Sequence, residues 1–390
     1  MRSVTVLGAT GSIGESAFDL LMRAGGPARF RTIALTGAGN IARLAEMARA
    51  LRAEVAVTAR PDLLGDLRAA LAGDGIEAAA GPAAIREAAA RPADWTLSAI
   101  VGAAGLAPGL EVLSRGGVLA LANKESLVAA GRLVMATAAR HGARILPVDS
   151  EHSAIFQALR GETLETVSTV TITASGGALR DWPAERLERA TLADASRHPN
   201  WAMGQRITID SASMFNKALE VIETHEFFGL EGGRIRVVIH PESIVHALVS
   251  HQDGATIAHL GAPDMRHAIG HALNWPDRAP LPVAALDLVG LGSLTFRAPD
   301  EVRWPALRLA REVVAAGGAA GAVLNAAKEQ ALDDFIAGRI GFADMARAVE
   351  RALDACAGEP GFGESPASLD SVLGWDALAR RLAAARAGAA

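Results

Sequence analysis

The sequence has 390 residues, half of them hydrophobic, which excludes a disordered chain and allows two or three domains around a large core. The net charge of −5, without a basic block, argues against nucleic acid as the main partner. Apolar runs are interrupted before they could span a membrane, and a strand-like run at Val4 leaves no room for a targeting peptide. The single cysteine, Cys356, excludes an internal disulfide and is typical of the reducing cytoplasm.

The first 150 residues alternate short apolar runs with stretches that have apolar residues at helical spacing. This alternation predicts a doubly wound parallel sheet of the Rossmann type, in an α/β protein. The predicted strands are Ser3–Leu7, Arg31–Leu35, Glu54–Val57, Trp95–Val101, Gly117–Ala122 and Arg144–Val148.

The pattern changes after residue 150. Runs rich in Thr and Val at Thr166–Thr173, Arg234–Ile239 and Ala255–His259 predict an antiparallel or mixed sheet with helices between the strands, and therefore a central α+β domain. A proline-rich passage from 276 to 300 is interpreted as a linker. From residue 301 the helical spacing of Ala, Leu, Arg and Glu predicts a small C-terminal helical bundle.

A glycine-rich turn, Gly8-Ala-Thr-Gly-Ser-Ile-Gly14, follows the first predicted strand and opens a helix. Glycines here allow a pyrophosphate to approach the backbone at a helix N-terminus, so the turn predicts dinucleotide binding. The second strand leads into Thr36-Gly-Ala-Gly-Asn40, which has no acidic residue to hold a ribose 2′-hydroxyl. This absence favours NADP(H) over NAD(H), with Arg43 as the candidate for the extra phosphate.

Two familiar classes of dehydrogenase are excluded. Short-chain dehydrogenases use a catalytic tyrosine, and the chain contains none. Semialdehyde dehydrogenases use a nucleophilic cysteine, whereas Cys356 lies in the predicted helical tail. At the carboxyl edge of the sheet, Lys124 is placed to polarise a substrate oxygen or to steer a phosphate, although an exposed helix start is the alternative.

Two carboxylates, Asp149 and Glu151, flank Ser150 just after the last strand of the predicted parallel sheet. On an extended backbone both acids would point the same way and Ser150 the opposite way, which indicates a site for a hard metal ion. A helix N-cap is an equally good interpretation of this segment by itself. We expect the chain to turn at Asp149.

A second group lies near the middle of the chain. Asn216, Lys217 and Glu220 share one helix face, which by itself is typical of a surface ion pair. Upstream, Ser175-Gly-Gly follows a strand and could wrap an anion. The Pro- and Gly-bounded loop Arg197–Gly204 contains His198, Trp201 and Met203, and its composition suits a lid.

These motifs occur in the same order and at similar spacing as in the 1-deoxy-D-xylulose 5-phosphate reductoisomerases, which the sequence resembles over nearly its whole length. The resemblance implies rearrangement and reduction of 1-deoxy-D-xylulose 5-phosphate to 2-C-methyl-D-erythritol 4-phosphate in non-mevalonate isoprenoid biosynthesis. It also implies NADPH and a divalent cation (Mg²⁺, Mn²⁺ or Co²⁺) as cofactors, and a cytoplasmic homodimer. The implied domains are 1–149 for NADPH, 150–275 for catalysis and 301–390 for the helical bundle.

Carried over position by position, the resemblance implies a role for each matching residue. The metal ligands would be Asp149, Glu151 and Glu220. Lys124, Ser150, Glu151, Ser175, His198, Ser211, Asn216, Lys217 and Glu220 would contact the substrate, and several of them its phosphate. The catalytic set would be Lys124, Asp149, Glu151, His198 and Glu220. Thr10, Gly11, Ser12, Ile13, Gly39, Asn40, Asn123, Glu125 and Gly204 would contact NADPH.

Two departures from the family pattern are visible. The loop before Asn40 lacks the Lys or Arg that many members carry, which weakens the preference for NADPH over NADH. Lys328 stands where the family usually has Asn, and we expect no effect on chemistry from it. Two other functions remain open: a metal-independent NADPH oxidoreductase on a related scaffold, and a non-catalytic nucleotide-binding protein.

Overall fold

The computed structural model describes residues 1–201 and 204–384, which fall into two compact units. The first unit comprises Met1–Ser126, Val134–Ser153 and Met265–Val283. The second comprises Leu127–Leu133, Ala154–Asp264 and the described residues from Ala284 onward. These compact units differ from the functional domains expected from the sequence, whose boundaries lie near 149, 275 and 300. The functional division stays a prediction. In the described residues we find no helix with the length and apolar character needed to cross a bilayer.

The first unit is built around a parallel sheet of seven strands in the order β4-β3-β2-β1-β5-β6-β7. The order reverses at the central strand β1, so the predicted doubly wound sheet is confirmed. The strands are β1 (Arg2–Leu7), β2 (Phe30–Gly37), β3 (Val55–Thr58), β4 (Glu77–Ala80), β5 (Trp95–Ser98), β6 (Val118–Leu121) and β7 (Arg144–Pro147).

Six of these seven strands lie where the apolar runs predicted them, and β4 was missed. The sequence Glu77-Ala-Ala-Ala has low strand propensity, and none of its four residues is fully buried. The strand lies at the edge of the sheet, where pairing with β3 alone supports it. By contrast β1 is buried at its last four positions, which is typical of a central strand covered on both faces.

Helices follow most of these strands. They are α1 (Ser12–Arg23), α2 (Ile41–Leu51), α3 (Leu64–Ala70), α4 (Pro82–Ala90), α5 (Leu106–Ser114), α6 (Lys124–His141) and α7 (Ser150–Ala158). The glycine-rich turn lies between β1 and α1, as predicted. Gly14 packs so closely that a Cβ there would lie 2.2 Å from the carbonyl oxygen of Ala9. Only glycine fits at position 14, because any side chain there would collide with the backbone of the glycine-rich turn.

The second unit contains a mixed sheet of four strands in the order β11-β10-β8-β9. The strands are β8 (Val167–Ala174), β9 (Ile235–Ile239), β10 (Val245–His251) and β11 (Thr256–Leu260). Strands β8 and β9 are parallel, whereas β10 pairs antiparallel with both β8 and β11. The prediction missed β10, because its histidines and serine interrupt the apolar pattern although most of the strand is buried in the folded unit.

The remaining helices confirm the helical C-terminal region. They are α8 (Ala184–Leu187), α9 (Leu192–Ala195), α10 (Gln205–Ala212), α11 (Phe215–Phe228), α12 (Arg266–Asn274), α13 (Leu288–Leu291), α14 (Pro305–Ala316), α15 (Ala320–Ile336), α16 (Asp344–Ala357) and α17 (Leu369–Ala384). Of these, α12 belongs to the first unit. One apolar core joins α11 and the mixed sheet to α14, α15 and α16. The predicted linker 276–300 contains the short helix α13 and an isolated bridge from Arg297 to Ile239.

The close packing of Gly14 leads to a stability prediction. We expect Gly14→Ala to lower the free energy of unfolding by about 1–3 kcal/mol, because the added methyl group overpacks the turn. Gly11→Ala is the matched control, since a Cβ there has ordinary contacts of 3.5 Å. Thermal unfolding of both variants without cofactor measures the difference, and equal midpoints would contradict the packing argument.

Candidate active site

The N-terminus of α1 offers an anion-binding surface in the first unit. Gly11 is the N-cap residue of α1, and it is exposed together with Ser12. The first backbone N–H groups of a helix have no partner within the helix and point toward an approaching anion. Thr10, Gly11, Ser12 and Ile13 therefore occupy the position that binding of a pyrophosphate requires.

The loop after β2 brings Gly39 and Asn40 to the same edge of the sheet. Asn40 caps α2 by accepting a hydrogen bond from the backbone N–H of Arg43 at 3.2 Å. The Arg43 guanidinium forms ion pairs with Glu15 at 2.6 Å and Glu46 at 2.7 Å. The one basic group predicted for a cofactor phosphate is thus already neutralised by two carboxylates.

Asn123 is buried and joins two loops at the carboxyl edge of the sheet. Its side-chain amide donates to the carbonyl oxygens of Ile100 at 2.7 Å and Gly102 at 2.9 Å, and to Glu125 at 2.8 Å. Its side-chain oxygen accepts from the N–H of Ser126, which caps α6. These contacts show that Asn123 has a structural role in shaping the edge.

Lys124, the first residue of α6, forms a buried ion pair with Asp149. The ammonium nitrogen lies 2.7 Å from the Oδ2 atom of Asp149, and both side chains are 8% exposed. Asp149 Oδ1 accepts hydrogen bonds from the backbone N–H groups of Glu151 and His152 and lies 2.9 Å from His152 Nδ1. Asp149 therefore caps α7 and also presents a charged carboxylate beside Lys124.

The chain turns at Asp149, as expected, and this corrects the directions expected on an extended strand. Because Ser150 begins α7, its hydroxyl does not point away from the acids but donates to Glu151 Oε2 at 2.8 Å. Carboxylate oxygens of Asp149 and Glu151 lie within 4.8 Å of each other. The segment is therefore a helix N-cap and also places two carboxylates close together, because the first turn of α7 allows both.

In the second unit, Ser175 and His198 meet at the end of β8. The Nε2 atom of His198 lies 2.9 Å from the Ser175 hydroxyl, and this hydroxyl also accepts from the N–H of Gly177 at 3.1 Å. Arg180 donates to the Ser175 carbonyl oxygen at 2.9 Å. Two glycines with positive φ, Gly176 and Gly177, make the tight turn possible.

The hydrogen bonds of His198 determine its tautomer. Its Nδ1 atom accepts from the backbone N–H groups of Asn200 at 3.1 Å and Trp201 at 2.9 Å, so the proton resides on Nε2 and is donated toward Ser175. Burial, assisted by the positive charge of Arg180, lowers the pKa of His198 from 6.5 to about 4. His198 is therefore neutral at physiological pH and acts as a hydrogen-bond donor through Nε2.

Ser211 lies on α10, next to the Ser175–Gly177 turn. A Cβ on Gly177 would lie 2.6 Å from the carbonyl oxygen of Ser211, so the two backbones touch. Gly204 is exposed and caps the other end of α10, where its carbonyl oxygen accepts from Thr208. The fold thus brings Ser175, His198 and the backbone of Ser211 close together.

Glu220 is nearly inaccessible, with 1% of its side chain exposed, and it is held by two neighbours on α11. Asn216 donates to Glu220 Oε1 at 2.6 Å, and the Lys217 ammonium contacts Oε2. The shared helix face is confirmed, but the alternative of a surface ion pair is wrong, because both charged side chains are buried. A glutamate side chain is rarely buried to this extent unless it is paired, as Glu220 is here.

The predicted lid loop is anchored within the second unit. The Asn200 side-chain amide donates to Ser243 at 3.0 Å and to the carbonyl oxygen of Pro241. The Trp201 ring contacts the edge of the His246 ring, with centroids 6.1 Å apart. Met203 lies outside the described residues.

Sequence reasoning missed three residues that shape this site. His152 is fully buried against Asp149, and its spacing of three residues on α7 is the signal that could have found it. Arg180 and Asn200 were missed because each donates to a backbone carbonyl oxygen, of Ser175 and Pro241, and residue type does not reveal such a contact.

The environment of His198 predicts its titration. Because its pKa is lowered, we expect the Nε2–H tautomer to persist down to about pH 5, with protonation only near pH 4. Above pH 6.5 the group has no effect on the pH dependence of stability. As the pH falls from 6.5 toward 4, stability is lost, since only the unfolded state takes up the proton. Long-range ¹H–¹⁵N NMR checks this, and a midpoint near 6.5 would contradict it.

Three family models match the chain. Residues 4–131 match the 1-deoxy-D-xylulose 5-phosphate reductoisomerase model, and residues 145–228 match the model of its C-terminal domain. Residues 260–382 match a further DXP reductoisomerase C-terminal domain. Together these matches cover both compact units.

Whole proteins of this family are also similar to the chain. The reductoisomerase of Paracoccus denitrificans (strain Pd 1222) is 78% identical over 390 residues, which is all of both chains, and that of Ruegeria pomeroyi is 66% identical, covering 98% of this chain and 96% of its own. The solved Zymomonas mobilis enzyme in complex with NADPH has a TM-score of 0.90 at 45% identity, covering 98% of both chains. A solved DOX-P reductoisomerase with NADPH, fosmidomycin and magnesium has a TM-score of 0.92 at 39% identity, covering 99% of this chain and 98% of its own. The chain therefore belongs to the 1-deoxy-D-xylulose 5-phosphate reductoisomerase family.

Proposed function

We propose that the protein rearranges 1-deoxy-D-xylulose 5-phosphate and reduces the product to 2-C-methyl-D-erythritol 4-phosphate, using NADPH and a divalent cation, in non-mevalonate isoprenoid biosynthesis. The observation that carries the proposal is a pair of buried lysine–carboxylate clusters. Lys124 pairs with Asp149 in the first unit, and Lys217 pairs with Glu220 in the second. A protein that only binds a nucleotide has no need for such charged groups away from solvent.

NADPH is the proposed hydride donor. The exposed N-terminus of α1, with Thr10, Gly11, Ser12 and Ile13, supports binding of its pyrophosphate. Two of the similar solved structures contain NADPH. We assign Gly39, Asn40, Asn123, Glu125 and Gly204 to the same site on the family pattern, with Asn123 acting by shaping the loops around it.

On the family pattern, we assign a divalent cation to the carboxylates Asp149, Glu151 and Glu220. Carboxylate oxygens are the ligands that Mg²⁺ and Mn²⁺ prefer, and magnesium is present in similar solved structures. When bound, the cation would stabilise negative charge on the substrate oxygens. The neighbouring ammonium groups of Lys124 and Lys217 hold the carboxylates of Asp149 and Glu220 in place.

The polar group at the end of β8 is proposed to hold the substrate. The Ser175 and Ser211 hydroxyls, the Nε2–H group of His198 and the Asn216 amide are hydrogen-bond donors, and Lys217 adds a positive charge. Such donors suit a phosphate group. The phosphate is remote from the reacting carbons, and the energy of binding it helps to orient them. Lys124 and Ser150 are assigned to the substrate oxygens beside the carboxylates.

The loop that carries Trp201 is proposed to cover the bound substrate. Its anchors at His198, Asn200 and His246 support a defined resting position for the loop. Excluding water protects a reactive aldehyde from hydration before hydride transfer.

We also propose a cytoplasmic homodimer. In the second unit β11 is an edge strand whose Ile257 side chain is exposed, and Val289 and Val302 are each 92% exposed. An edge strand has unpaired backbone groups that can pair with a strand of a second copy, which supports this proposal. The single cysteine supports a reducing compartment.

The metal assignment predicts the behaviour of Glu220→Gln. We expect turnover to fall by at least about 100-fold with NADPH binding nearly unchanged, because one of three anionic ligands is lost. Glu162→Gln, at an exposed glutamate of the same unit, is the matched control. NADPH oxidation on the ketose phosphate, with and without a chelator, measures the effect. Full activity in chelator would instead indicate a metal-independent oxidoreductase.

The close approach of Gly177 to Ser211 predicts a substrate-binding defect. We expect Gly177→Ala to raise the KM for the ketose phosphate about tenfold or more, because the methyl group pushes the Ser175 turn away from α10. Gly161→Ala is the control, since Gly161 has a similar positive φ but open space around it. Steady-state kinetics measures the KM of both variants. An equal KM would show that the Ser175 turn does not bind the phosphate.

A further inference from the structure

Helix α10 is attached to α15 by two ion pairs within the second unit. The Lys328 ammonium lies 2.8 Å from Asp210 Oδ2, and these side chains are only 4% and 10% exposed. Arg206 pairs with Asp333 at the more exposed end of the same contact. Asp210 immediately precedes Ser211, so the buried pair lies next to the residue assigned to the substrate.

The signs of these charges define how α10 lies on α15. Along α10 a positive residue, Arg206, is followed one turn later by the negative Asp210, and along α15 the positive Lys328 is followed by the negative Asp333. Opposite charges therefore meet only when the two helices run antiparallel in this register. A shift by one turn would leave Lys328 or Asp210 buried without its counter-charge, which is strongly unfavourable.

The end of α10 at Ser211 and Ala212 has little tolerance for displacement. The backbone of Gly177 touches the Ser211 carbonyl oxygen and the Cα atom of Ala212, where a Cβ would lie 2.6 Å from each. A movement of α10 by a few tenths of an ångström would therefore change the spacing between the Ser211 and Ser175 hydroxyls. A misplacement of about 1 Å can lower the rate about 100-fold, so the position of α10 bears on catalytic efficiency.

We infer that Lys328 is a positioning residue, whose ion pair with Asp210 fixes α10 and so holds Ser211 at the distance from Ser175 that the substrate phosphate requires. The inference rests on the proposed function for the assignment of Ser211. It gives Lys328 a role that its place in the sequence did not indicate. A buried ion pair is not the most stabilising way to join two helices, so its use here is consistent with a demand for register.

The test compares two variants that each break one ion pair of α15. Lys328→Met keeps the length of the side chain and removes its charge, while Arg380→Met breaks the pair that α17 makes with Glu329, the next residue on α15. Both are expected to lower the unfolding midpoint. Only Lys328→Met is expected to raise the KM for the ketose phosphate about tenfold and to weaken inhibition by inorganic phosphate to a similar degree.

An equal rise in KM for the two variants, or a wild-type KM in Lys328→Met, overturns the inference, because either result leaves Lys328 with a structural role only. If Lys328→Met does not fold, Lys328→Gln replaces it in the same comparison. Calorimetric binding of inorganic phosphate gives a readout that does not depend on turnover. If the wild-type protein binds phosphate but does not consume the ketose phosphate, the proposed function is wrong. The positioning role of Lys328 is then decided by the phosphate affinities of the two variants.

Discussion

The candidate site depends on ammonium groups that lie against its buried carboxylates. Burying an unpaired charge is strongly unfavourable, but Asp149 and Glu220 each lie against an ammonium group, on Lys124 and Lys217. Backbone N–H groups at the start of α7 add further compensation for Asp149. Each unit thus supplies a buried carboxylate whose position is fixed by its partners.

The second constraint is the close approach of backbones around the substrate group. The Ser175 turn, the His198 ring and α10 touch each other through small residues and backbone groups, leaving little room for adjustment. The neutral His198 suits this arrangement, because its single Nε2 proton points toward Ser175 while Nδ1 holds the start of the loop. Packing fixes these positions, and the ion pair between Lys328 and Asp210 joins α10 to α15 next to Ser211.

Much of the fold was predictable because its signals are local. Apolar runs located six of the seven parallel strands, and the glycine-rich turn located the start of α1. Strands β4 and β10 were missed for different reasons. Three of the four residues of β4 are alanine at a sheet edge, whereas histidine and serine interrupt the apolar residues of β10 inside its sheet. In both strands, hydrogen bonding to neighbouring strands outweighs the intrinsic propensity of the residues. A short stretch of sequence does not show which strands will pair.

By itself the sequence determined the type of chemistry, because hard oxygen ligands, lysines and a glycine-rich turn are recognisable from residue type and spacing. Only the tertiary structure decided the state of these groups. It buried Lys217 and Glu220, directed Ser150 toward Glu151, made Asn123 a structural link and neutralised His198. The physical reason is that burial, hydrogen-bond direction and pKa depend on residues distant in the chain, which meet only when it folds.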